Sequence, residues 1–176
     1  ACARRVAGAS AGSAGAASGV ASSDRSLPVV SGCAAACSGV DQLPSVEAIY
    51  VPMGDTALIR GVASAAKAFR PSIRIIGVVA EQAPAYYLSW QQGVAVETDS
   101  ANTIADGLAV RRPLAPNVAA IRTLVDEVET VSEREMLAAI AHLHSYEQVT
   151  AEPSGAAATA AWRKRRGPER VAVLLV

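Results

Sequence analysis

The residues of this chain best suited to chemistry are five in a row: Gly54, Asp55, Thr56, Ala57 and Leu58. They come after a short apolar run, Ala48 to Val51, that reads as a buried strand broken by Pro52 and Gly54. From Thr56 onward, Leu58, Ile59, Val62, Ala65 and Ala66 recur near one face of a helix. Asp55 or Thr56 can cap that helix by accepting a bond from a free backbone N–H. Strand, tight loop and helix start thus aim unpaired N–H groups and the positive end of the helix dipole at one point. That arrangement suits an anion such as phosphate. Many α/β domains carry such a turn and bind nothing there, so the loop alone assigns no ligand.

Other reactive side chains are less well arranged. Glu152 precedes a helix that begins near Pro153; it can stabilise that N-terminus and could face a cavity. Asp106 stands beside Gly107 and organises its own loop. His142 and His144 are two apart on a helix and face different directions, which suits neither a metal nor a triad. Cys33 and Cys37 are four apart, with no second ligand pair and no nearby histidine. With Cys2 they read as unpaired thiols of an intracellular protein. The two lysines, Lys67 and Lys164, read as parts of solvated helix faces. The basic run 163–166 suits a solvated helix C-terminus.

The elements that must position these residues alternate strand with helix from Asp41 onward. Strands are expected at 47–52, 73–79, 127–131 and 171–176, with a short one at 94–96. The 73–79 run is near-continuously apolar and therefore buried on both faces, as in a parallel sheet. Helices are expected at 56–69, from Pro84 to a stop at Gly93, from an Asn117 cap through Leu124, from Ser132 to about His144, and from Pro153 to about Arg166. Ser132 and Glu135 have capping-box spacing. The fold class is α/β, a mostly parallel sheet flanked by helices.

Composition bounds the rest. A chain of 176 residues holds one core-bearing domain. Residues 1–40 are unlike the remainder of the chain: 26 of the 40 are Ala, Gly or Ser, too little apolar surface to offset the entropy of ordering them. They are expected to form a low-complexity, disordered tail, with Leu27 to Val30 as a strand fragment. The net charge is +0, which offers no basic field for nucleic acid. No apolar run has transmembrane length and no leucine-rich leader is present, so a cytoplasmic location is expected.

The order of the motifs resembles the pyridoxal-phosphate enzymes of the tryptophan synthase β fold type, in particular the threonine/serine dehydratase and serine racemase group. The residues that carry this are Val51-Pro-Met-Gly-Asp-Thr-Ala-Leu58, Ile76-Gly-Val78, Ala83-Pro84, Thr103-Ile-Ala-Asp-Gly-Leu-Ala109, Leu124-Val-Asp126 with Val131-Ser132, and Glu152-Pro-Ser-Gly-Ala-Ala157. The match covers residues 43 to 176.

The resemblance implies part of the large domain of fold type II. It also implies pyridoxal 5'-phosphate as cofactor, with its phosphate in the loop Gly54, Asp55, Thr56, Ala57 and Leu58. The implied reaction is deamination of L-threonine or L-serine to a 2-oxo acid and ammonia. A racemase of the same fold and a non-catalytic domain that binds a phosphate ligand or a partner chain stay open, as does homo-oligomer formation. This sequence departs from the family pattern in two ways. Only the first of four loop glycines is kept, so any position with φ > 0 becomes costly. The Schiff-base lysine in its Ser-x-Lys-x-Arg-Gly-type motif is absent; the low-complexity N-terminus, which the resemblance does not reach, suits a truncated or frame-shifted coding sequence. No residue is assigned to catalysis. No metal site is expected either, because the positions that ligate a divalent ion in some members fall on Val79 and Ala85.

Overall fold

Residues 75 to 80 are all buried, the burial expected of an inner parallel strand covered on both faces. The computed structural model describes residues 29–30, 45–165 and 172–175. The expectations for a disordered tail and for the three cysteines lie outside the described residues, apart from a strand at 29–30.

The strands are β1 (Val29–Val30), β2 (Ala48–Pro52), β3 (Arg74–Ala80), β4 (Glu127–Val131) and β5 (Ala172–Leu175). They form one parallel sheet in the order β1-β5-β2-β3-β4. The helices are α1 (Ala57–Phe69), α2 (Ala85–Gln92), α3 (Ala115–Leu124), α4 (Glu133–Tyr146) and α5 (Pro153–Lys164). A 3-10 turn covers Asp106–Leu108. The expected α/β architecture is therefore present, with element bounds within a few residues of those read from periodicity.

Side chains alternate across the sheet with the period of a strand. Ile49, Val51, Ile75 and Val79 face one side, where Ile59 and Val62 of α1 and Val118 and Ile121 of α3 pack. Ala48, Tyr50, Ile76, Val78 and Ala80 face the other, against α4 and α5. Gly77 sits between Ile75 and Val79, and a Cβ there would press on Ile59 and Met53, so the missing side chain lets α1 seat closely. In α5, Ser154 and residues 156–161 are all buried, which an alanine-rich helix between the sheet and α4 can achieve at close approach.

The chain runs outward from β2 to β3 to β4, then returns through α4 and α5 to place β5 on the other side of β2. Strand order thus reverses between β5 and β2. In open α/β sheets the crevice beyond the carboxyl ends of strands at such a point is where ligands bind.

Three local expectations need correction. Val94 to Val96 form no strand; Val94 is 60% exposed and no sheet edge reaches it. Asn117 is not a cap, because α3 starts at Ala115 and Leu114 holds the N-cap position. Of the two caps offered for α1, Asp55 supplies the acceptor, while Thr56 holds the N-cap position without a side-chain bond. The basic run is not simply solvated: Arg165 pairs with Glu127 at 2.7 Å and Glu129 at 3.3 Å, and Lys164 donates to the Thr130 carbonyl at 2.9 Å. Two cations at the end of α5 therefore strap it to β4. Gly93 does close α2, with φ 75, and the Ser132–Glu135 capping box is formed.

Candidate functional site

A cavity of about 410 Å³ opens at the carboxyl end of β2, where the strand order reverses. Three segments build it: Pro52, Gly54, Asp55 and Leu58 from the β2–α1 connection, Gly107, Leu108 and Val110 from the long loop, and Glu152, Ser154 and Gly155 from the start of α5. Two helix N-termini, those of α1 and α5, therefore border one space. Of the five expected site residues, Gly54, Asp55 and Leu58 line the cavity. Thr56, which is buried, and Ala57, whose N–H is bonded to Asp55, are not among the lining residues.

The three segments are locked together by backbone. A Cβ on Gly54 would overlap the Gly107 carbonyl oxygen, so that position requires glycine. The Gly107 N–H in turn donates to Ser154 Oγ at 3.0 Å. A Cβ on Gly107 would stand 3.0 Å from the same Oγ. From the side, Asn117 Nδ2 donates to the Asp55 carbonyl at 3.0 Å and to the Tyr86 hydroxyl at 3.2 Å. Sequence reasoning missed this tether. Asn117 lies 62 residues from Asp55, and a polar residue near a helix start reads as a cap.

The loop itself carries two unusual features. Thr56 has φ 76, a left-handed backbone that favours glycine over a β-branched residue. Its hydroxyl is buried and has no hydrogen-bond partner. Beside it, Asp55 Oδ1 accepts the Ala57 N–H at 2.9 Å. Ala57 opens the first turn of α1, so the carboxylate takes one of the N–H groups an anion would use.

The remaining candidates are placed as follows. Glu152 occupies the N-cap position of α5 and is exposed, with its side chain making no cap bond. Asp106 is exposed at the start of the 3-10 turn, and the cavity wall there is Gly107 and Leu108. His142 is half-buried with its ring 4.8 Å from that of Tyr146, and His144 is exposed. Partial burial, with Arg163 nearby, holds His142 below the usual histidine range despite Glu147. Val79 and Ala85 are buried apolar residues. Among the described residues no group of three or more His, Cys, Asp or Glu is placed to hold a metal ion.

Both lysines are engaged elsewhere. Lys67 is in the last turn of α1 and pairs with Asp126 at 2.7 Å. That turn is about 15 Å along the helix from Ala57, at about 1.5 Å per residue. Lys164 is at the far end of α5, bonded to Thr130 and 3.8 Å from Glu135. Among the described residues, no lysine, arginine or histidine lines the cavity.

These residues do not fit a phosphate-bearing cofactor as they stand. Helix starts remain, but among the described residues the wall carries two carboxylates, Asp55 and Glu152, and no cation. One of the loop donors is already bonded to a carboxylate of the chain itself.

Comparison with known proteins fits the architecture. The chain is 40% identical over 127 residues to an L-threonine ammonia-lyase of Geobacter sulfurreducens, covering 72% of this chain and 32% of that protein. It is 39% identical over 123 residues to a serine racemase of Arabidopsis thaliana, covering 69% of this chain and 37% of the relative. Among solved structures, maize serine racemase superposes with a TM-score of 0.72 at 30% identity, over 81% of this chain and 45% of that one. The processed form of threonine deaminase isoform 2 from Solanum lycopersicum gives 0.75 at 28% identity, over 81% and 43%. The chain thus spans about a third of the length of the curated relatives it matches. The family profile described as "Pyridoxal-phosphate dependent enzyme" matches residues 30–176, which takes in the β2–α1 loop, the long loop and the start of α5. The motif order, the parallel sheet and that match together make this chain a member of the pyridoxal-phosphate dependent enzyme family.

Proposed function

We propose that this chain is a portion of a threonine/serine ammonia-lyase fold that keeps the architecture of the cofactor cavity without the chemistry. The reaction class that the fold serves is release of ammonia from L-threonine or L-serine to give a 2-oxo acid, in the cytoplasm. These 176 residues do not carry it out by themselves. One observation supports this above the others: both lysines of the sequence are tied into structural pairs away from the cavity, so neither amine faces the space where an aldehyde cofactor reacts. Schiff-base formation requires a free amine within bonding distance of the aldehyde, and an ion-paired lysine about 15 Å along a helix does not meet that requirement.

The test is release of 2-oxo acid and ammonia from L-threonine and from L-serine by the purified chain with added pyridoxal 5'-phosphate. The expected result is no release above that of the free cofactor. Release that disappears when Lys67 or Lys164 is changed to Met would overturn the proposal.

A further inference from the structure

We propose that Asp55 is a built-in anion that holds the phosphate position of the 54–58 loop and excludes phosphate from the cavity. This rests on the proposed function, a fold kept without its chemistry. It goes further by naming the residue that closes the anion site.

Three observations converge on Asp55. Its Oδ1 accepts the Ala57 N–H at 2.9 Å, at the positive end of α1. A phosphate oxygen seated there needs that same N–H. The backbone that carries this carboxylate is also held in place. Asn117 Nδ2 bonds the Asp55 carbonyl at 3.0 Å and is itself braced by the Tyr86 hydroxyl at 3.2 Å. Thr56 comes next and is buried, which limits how far the peptide beyond Asp55 can swing to re-aim its donors. Finally, the cavity offers nothing to offset charge repulsion. Glu152 adds a second carboxylate at the start of α5, and no cation stands among the described residues of the wall. A phosphate entering this space meets two exposed carboxylates with no cation of the wall to offset their repulsion, and it must displace Asp55 from the Ala57 N–H.

Asp55 therefore acts as a specificity-determining residue by exclusion. Removing its charge should open the site, and removing its side chain together with the Thr56 strain should open it fully. The experiment uses the full 176-residue chain, uniformly 15N-labelled and titrated with inorganic phosphate. The amide resonances of Ala57 and Leu58 are followed in the wild type, Asp55→Asn and the double variant Asp55→Gly/Thr56→Gly. Asp55→Asn removes the charge and leaves only a neutral amide oxygen, a weaker acceptor that yields the Ala57 N–H to an anion, while the mild single substitution holds the fold if the glycine pair does not. The expected result is no saturable shift in the wild type and saturable shifts in both variants. The double variant should bind phosphate at least about tenfold more tightly than the wild type, a difference of about 1.4 kcal/mol. Saturable phosphate binding at Ala57 and Leu58 of the wild type, matching that of the variants, would overturn the proposal. So would a folded Asp55→Asn chain that shows no shift. Neither result touches the lysine assignment, which is read separately by covalent trapping of the cofactor.

Discussion

Gly54 and Gly107 meet backbone to backbone: a Cβ on Gly54 would overlap the Gly107 carbonyl oxygen. The β2–α1 loop and the long loop are separate in sequence and share a wall of the cavity through this contact. Gly54→Ala should force the two loops apart and cost about 1–3 kcal/mol, the range for inserting a methylene into a packed site. Urea denaturation measures it. A loss below about 0.5 kcal/mol, well under that range, would mean that the contact is not fixed.

Thr56 is the opposite case, a side chain in a backbone conformation that prefers none. The left-handed region costs a non-glycine residue about 1–2 kcal/mol, and the Thr56 hydroxyl is buried without a partner. Thr56→Gly removes both penalties and loses a methyl group and some backbone order. The expected balance is a gain of about 1 kcal/mol, read as a rise in Tm.

Lys67 and Asp126 form one ion pair, but their removal should not cost the same. Asp126 Oδ2 also accepts the N–H of Ile75, a buried residue of β3, at 2.7 Å. Asp126→Ala leaves that donor without its partner, at about 1–3 kcal/mol. Lys67→Ala loses only a partly exposed pair, worth at most about 1 kcal/mol. Paired denaturation curves should give Asp126→Ala the larger loss.

Acid should weaken the chain through Glu135. Burial pushes its carboxyl up, but the Ser132 N–H and hydroxyl, with Lys164 and Arg134 nearby, outweigh that and hold it below its ordinary value of 4.5. A carboxyl with a depressed folded-state pKa adds stability above its unfolded value and loses it as pH falls through the folded one. Glu135→Gln keeps a capping-box side chain without the charge. The stability gap between wild type and Glu135→Gln should be present near neutral pH and shrink as pH drops below 4.5. A gap that stays constant to low pH would remove the charge from the explanation.

What the sequence made legible came from periodicity and short-range chemistry. The apolar run at 73–79, the helical spacing after Thr56, the Gly93 stop and the Ser132–Glu135 box each depend on residues a few positions apart, and each is present. The motif order also placed the chain in the family whose profile matches it. What stayed hidden depended on partners far along the chain. The loop departures from glycine were visible, as was Asp55 as an acceptor for a helix-start N–H, but not that Thr56 would take the positive φ. The Asn117 tether and the Arg165 straps join residues 62 and 38 positions apart, and no local pattern encodes them. Val94 to Val96 had strand-like residues but no neighbouring strand to pair with, which only the sheet order reveals.

The most direct test of the central claim is covalent trapping. The purified chain is incubated with pyridoxal 5'-phosphate, reduced with borohydride, digested and analysed by mass spectrometry. With Lys67 paired to Asp126 and Lys164 to the β4 edge, the predicted result is no specific phosphopyridoxyl label on either lysine. Stoichiometric label on Lys67 or Lys164 would contradict it, and would return a working amine to a cavity whose described residues show none.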